Sequence, residues 1–113
     1  MTINELLKKY SFHDSSVEKI EYCEKDELLT FTIDFCFWLQ SDFVEGNKEN
    51  GLIKLVFHNV KQYNNLSGDI DSFEILDVVE TKDGILLNVS DAFNRKYYEI
   101  TIESNDVDFV LCE

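Results

Sequence analysis

The chain has 113 residues, of which 23 are Asp or Glu and 10 are Lys or Arg, giving a net charge of −13, yet 44% of it is hydrophobic and 13% aromatic. That apolar content excludes disorder driven by charge, and the length suits one domain, residues 1–113, with a single core. The acidity argues against nucleic acid and anionic membranes, whose phosphates need a basic face, and favours a basic protein or a cationic ligand drawn in by long-range steering.

The opening Met1-Thr2-Ile3-Asn4-Glu5 has neither the basic start nor the apolar run of a secretory leader, and no later stretch approaches membrane-spanning length, so a cytoplasmic location is expected. Thr2 and Glu5 then have the spacing of a capping box, with Ile3, Leu6, Leu7 and Tyr10 at helical intervals behind them. Lys8 and Lys9 fall where the helix dipole is negative. His13-Asp14-Ser15-Ser16 reads as a polar turn into a strand from Val17 to Cys23, and Lys25-Asp26 as a reversal into the next. From Leu29 the alternation of Phe31, Ile33, Phe35, Phe37 and Leu39 with Thr30, Thr32 and Asp34 predicts a long amphipathic strand, covered on both faces near Cys36 and Trp38.

A polar connection, Gln40 to Gly51, carries Phe43 and Val44 and is expected to fold back onto the body. Leu52 to Val60 reads as a strand, Lys61 to Ser72 as a second long connection. Phe73 to Thr81 and Ile85 to Asp91 flank Lys82-Asp83-Gly84, and Asp-Gly between apolar runs is a hairpin signal. Tyr97 to Glu103 and Val107 to Cys112 complete about seven strands with short turns, so the expected fold is α+β and predominantly antiparallel β: a sandwich or curved half-barrel with one N-terminal helix. Cys23, Cys36 and Cys112 are odd in number and widely spaced, which fits reduced thiols better than a disulfide framework or a zinc site.

No catalytic, cofactor or metal residue is expected. His13-Asp14-Ser15 contains the residue types of a hydrolytic triad, but triad members converge from separate parts of a fold, and the expected role is a turn with His13 packed beside the helix. Ser67 to Glu74 carries closely spaced acids without the full ligand order of a calcium loop. Asp77 shares its strand face with Phe73, Ile75 and Val79, so burial there would raise its pKa. The strongest surface signal is charge: Asp69, Asp71, Glu74, Asp77 and Glu80 in one segment, Glu99, Glu103, Asp106, Asp108 and Glu113 in another. If the two segments meet they form one acidic face, for which Asp69, Asp71 and Glu74 with the aromatic anchors Tyr63, Phe93 and Tyr97 are the candidate partner-binding residues.

Phe12-His13-Asp14-Ser15 before a strand, Ile33-Asp34-Phe35 with Trp38, Leu66 to Phe73, and Asp83-Gly84 together resemble small bacterial proteins with a helix, a His-Asp-Ser turn and a β-rich body, a group similar to some immunity proteins of polymorphic toxin systems. The resemblance implies a stoichiometric toxin partner and no catalytic or cofactor residues. The expected function is therefore a non-enzymatic binding protein, an immunity protein using an acidic face. Two alternatives stand beside it: a ligand-binding domain or small enzyme with a cavity near Phe43 and Tyr63 and Asp77 or His58 as its polar group, and a protein that self-associates through an apolar patch.

Overall fold

A computed structural model describes residues 1–64, 73–91 and 95–112. Helix α1 runs from Ile3 to Lys9, and its capping box is complete: the Glu5 N–H donates to the Thr2 hydroxyl at 3.1 Å and the Thr2 N–H to the Glu5 carboxylate at 3.0 Å. The Thr2 backbone N–H, followed by its hydroxyl, holds the Glu5 carboxyl below its ordinary 4.5. A depressed carboxyl stabilises the fold above its unfolded pKa, so the contribution of this cap is whole at neutral pH and fades as pH falls through the lowered value. Ile3 and Leu6 are fully buried, which docks the helix on the sheet beside its fifth and eighth strands.

The strands are β1 (Ser16–Cys23), β2 (Leu28–Cys36), β3 (Asn50–His58), β4 (Gln62–Tyr63), β5 (Phe73–Glu80), β6 (Gly84–Asp91), β7 (Lys96–Glu103) and β8 (Asp106–Leu111). They form one antiparallel sheet in the order β4-β7-β6-β5-β1-β2-β3-β8. The fold is thus mostly antiparallel β with one short helix. The short β4, in the connection read from sequence as irregular, is the additional strand.

The strand expected to reach Leu39 stops at Cys36, and Phe37–Leu39 makes a 3-10 turn instead. The local hydrogen bonds explain the break. Cys36 N–H donates to the Ser15 hydroxyl at 3.0 Å, and the Gln40 side-chain amide donates to the carbonyls of Cys36 and Ser11 at 2.9 and 2.8 Å while accepting from Ser11 N–H. Trp38 N–H turns back to the Glu49 carbonyl at 3.1 Å. The polar groups that would extend the ladder are already committed.

The sheet curves until its ends meet. Between His58↔Asp106 and Gln62↔Glu103, four residues of advance on the β3–β4 side face three on the β7–β8 side, so both end pairings belong to one ribbon bent by a single extra residue. Asn59 takes a left-handed conformation at the bend, with φ of 52°. Ser104 Oγ donates to the His58 carbonyl at 2.6 Å, Lys61 N–H to Glu103 O, and Val60 N–H to Glu27 O in the β1–β2 turn. Tyr63 on β4 then reaches Tyr22 and Phe31, with ring centroids 5.3 and 6.5 Å away. Further bulges at Glu18 in β1 and Leu76 in β5 add curvature where β1 and β5 pair.

One core fills the curve. Leu29, Phe31, Ile33 and Phe35 of β2 and Ile53, Leu55 and Phe57 of β3 meet Ile75, Ile85, Leu87, Val89, Ile100 and Ile102 from the other half of the sheet. Gly84 stands where β6 begins against β7, and a Cβ there would lie 2.0 Å from the Ile102 carbonyl oxygen. Because that neighbour is backbone, Gly84→Ala is expected to lower the unfolding free energy by about 1–3 kcal/mol, the range for overpacking, read as a lower urea midpoint with an unchanged slope.

Candidate functional site

The outer face of β5, β6 and β7 gathers three of the acids that the sequence singled out, Glu74, Asp77 and Glu99. Ladder pairing sets Glu74, Ser90 and Tyr97 in one row and Asp77, Asn88 and Glu99 in the next. These two rows contain carboxylates and no cation. Asn88 Nδ2 donates to Asp77 Oδ1, which ties β5 to β6, and a groove of about 390 Å³ runs between Asp77, Asn88, Glu99 and the two tyrosines Tyr97 and Tyr98. Tyr97 is 76% exposed, the most solvent-open large apolar side chain among the described residues.

Asp77 corrects the expectation of a carboxyl among apolar neighbours. The bulge at Leu76 inserts one residue after Ile75 and reverses the alternation, so Asp77 emerges on the solvent side while Phe73 and Ile75 remain in the core. No apolar burial acts on it.

Of the candidate partner-binding residues, Glu74 and Tyr97 share the outer row, whereas Tyr63 points the other way into the aromatic cluster of Tyr22 and Phe31. Burial there pushes the Tyr63 hydroxyl above its ordinary pKa of 10. Its role is packing at the seam of the sheet. Asp69, Asp71 and Phe93, together with Glu113 and the Ser67–Ser72 part of the calcium-loop candidate, lie outside the described residues.

The C-terminal acidic segment does not stay together. Glu99 joins the face of Glu74 and Asp77, but the turn at Ser104-Asn105 sends β8 to the opposite end of the sheet, where it borders β3. Asp108 there meets His58 across the ladder, Nε2 to Oδ2 at 2.8 Å, and Asp106 lies 3.9 Å from the Met1 amino group. His58 is consequently a surface pairing residue, remote in role from any cavity.

The His13-Asp14-Ser15 turn is divided by burial. Ser15 is fully buried with its oxygen bound to Cys36 N–H, while His13 and Asp14 are exposed and pair with each other at 3.3 Å. His13 is not packed beside the helix: Asp14 has φ of 67°, and this left-handed residue turns the chain so that Asp14 N–H and Ser15 C=O both bond Ile75. A serine oxygen held in the core cannot receive a substrate beside an imidazole in solvent. The turn instead joins β1, β2 and β5.

A second concavity, about 600 Å³, opens beside the Gln40–Glu49 connection. Phe43 lines it as the sequence suggested, but Tyr63, Asp77 and His58 do not. Its floor is an aromatic cluster: Tyr10 stacks on Phe109 at 4.0 Å with rings 5° from parallel, and Phe35 sets its ring at 75° to Phe109 and 81° to Phe37. Asp42, Asn47 and Lys48 stand at the polar margin. The sequence places Phe35 in an apolar alternation and Phe109 inside a strand, but nothing local joins residue 10 to residue 109. Among the described residues, no three His, Cys, Asp or Glu side chains gather in a way that could hold a metal ion.

No family model matches this chain, and no match was found among curated proteins or solved structures.

The division of the His-Asp-Ser turn makes a direct expectation. Ser15→Ala leaves the buried Cys36 N–H without a partner and should cost about 1–3 kcal/mol, whereas exposed His13→Ala should stay within about 0.5 kcal/mol. Urea unfolding of the two variants measures both; equal losses would mean that His13 carries structure that its exposure does not reveal.

Proposed function

We propose that this protein is a non-enzymatic binding domain that presents the outer face of β5, β6 and β7 to a basic protein, and that its partner is a toxin which it neutralises. The observation that carries the reading is the exposed Tyr97 standing in the same row as Glu74 and next to the row of Asp77 and Glu99. Large aromatic side chains that bury on association supply much of the energy of an interface, while surrounding carboxylates steer a cation-rich partner and set its orientation. The net charge of −13 extends that attraction beyond the contact. The Asp77–Asn88 bond fixes two of the surface groups before binding, which lowers the ordering cost.

A toxin partner rests on the resemblance of the helix, the His-Asp-Ser turn and the β-rich body to immunity proteins, and on the fit of an acidic face to a basic active site. The aromatic cleft supports a second reading, an apolar ligand seated on Tyr10 and Phe109 with Lys48 or Asp42 at its margin.

Affinity capture of the tagged protein from its own cells at low and high salt, with mass spectrometry of the bound fraction, tests the first reading. A single basic protein in stoichiometric amount, released as salt rises, is the expected result. With that partner in hand, Tyr97→Ala is expected to weaken binding by about 2 kcal/mol through faster dissociation. The pair Glu74→Lys and Glu99→Lys is expected to slow association and flatten its salt dependence. Normal binding by all of these variants, with the fold intact by circular dichroism, removes this face from the function.

A further inference from the structure

We infer that the free edge of β8 is a self-association surface, on which a second copy of this chain adds its own β8 antiparallel about Val110. Cys112 N–H donates to the Leu52 carbonyl of β3, so the even-numbered backbone groups of β8 face β3 and the odd-numbered ones face outward. Val107 is odd, and its N–H and C=O are both taken by Met1, at 2.9 Å each. Phe109 and Leu111 present the same pair of groups with no described residue to receive them. Among the described residues, the open part of the edge is therefore a window of two outward residues.

That window determines the register. Using both residues on both copies requires Phe109 to face the partner's Leu111, which puts Val110 against the partner's Val110. Asp108 then lies opposite the partner's Cys112, and no carboxylate faces another. A pairing centred on Asp108 would instead oppose two like charges. Edge strands are ordinarily guarded by Lys, Pro or a bulge, and Phe109-Val110-Leu111-Cys112 has none of these. Val110 and Leu111 are 44% and 59% exposed, and Leu111 at the rim of the aromatic cleft would cover the partner's Phe109.

The ladder added by so short a window buries far less than the roughly 800 Å² per partner of a stable interface, which places the dimer in the weak, concentration-dependent class. Two chains of net charge −13 also repel, so added salt should tighten the dimer, opposite to its effect on a basic partner.

Sedimentation equilibrium of the full chain over a wide concentration range at low and high salt is the test. A dimer that grows with both concentration and salt is expected. Leu111→Pro removes only an outward N–H, a position where an edge strand tolerates proline, and should raise the dissociation constant at least about tenfold. A second variant guards against misfolding of the first: Val110→Cys with Cys23→Ser and Cys112→Ser should form an intermolecular disulfide under mild oxidation, because directly opposed residues of a non-hydrogen-bonded pair lie within bridging distance. A monomer at every concentration overturns the inference, as does association unaffected by Leu111→Pro in a folded protein. Association that salt abolishes, or failure of the cysteine variant to cross-link where the wild type dimerises, also overturns it and leaves the edge to a basic strand of another protein.

Discussion

At the bend of the β3–β4 and β7–β8 ribbon, four residues of one strand advance against three of the other, and both strands turn together. A twisted sheet of eight strands would otherwise end in two separate edges. Here the same pair of chain segments supplies both ends, and the Ser104 hydroxyl holds the turn by bonding the His58 carbonyl. The mismatch does what a bulge does elsewhere, concentrating the change of direction in a few residues. Because β4 is carried over to β1 and β2, Tyr63 can seal the core against Phe31 and Tyr22. The position of every other surface follows from this closure, including the separation of β8 from the acidic face on β5 to β7.

Bulges also determine which chemistry the molecule shows to water. Without the extra residue at Leu76, Asp77 would share the buried side with Ile75; with it, the carboxylate pairs with Asn88 and extends the acidic rows. At Ser15 the balance runs the other way. A polar side chain is buried because a backbone N–H released by the end of β2 needs an acceptor, which the hydroxyl supplies. Buried polarity and exposed charge on this protein are thus both consequences of where ladders stop or slip.

The sequence was most legible where neighbouring residues interact. Thr2 and Glu5 announced the helix through contacts three residues apart, and the alternation from Leu29 to Phe35 matched the buried side of β2. It misled where a distant partner intervenes: Phe37 and Leu39 continue the alternation, but Ser15, Gln40 and Glu49 remove that segment from the sheet. The same holds for the candidate surface. Clustered acids are visible in the chain, yet only the β5–β6–β7 register brings Glu74 and Tyr97 into one row. Tyr63 and Tyr97 look alike in sequence and lie on opposite sides of the sheet because β4 and β7 present them in different phase. The stack of Tyr10 on Phe109 had no local signal at all.

The bent ribbon has a consequence for the order in which the molecule can assemble. The β1–β2–β3 and β5–β6–β7 meanders pair neighbours joined by turns and connections, so each can form from its own stretch of chain. Closure pairs Ile53 with Leu111 and Tyr63 with Ile102, contacts that must gather the ends of long intervening loops before any core sealing rewards them. On a ribosome the first meander emerges well before the segment that completes it, with the outer side of β3 bare in the interval. β8, made long after β3, is the strand that ends this exposure, which makes closure the step at which a newborn chain is most vulnerable to pairing with the wrong neighbour.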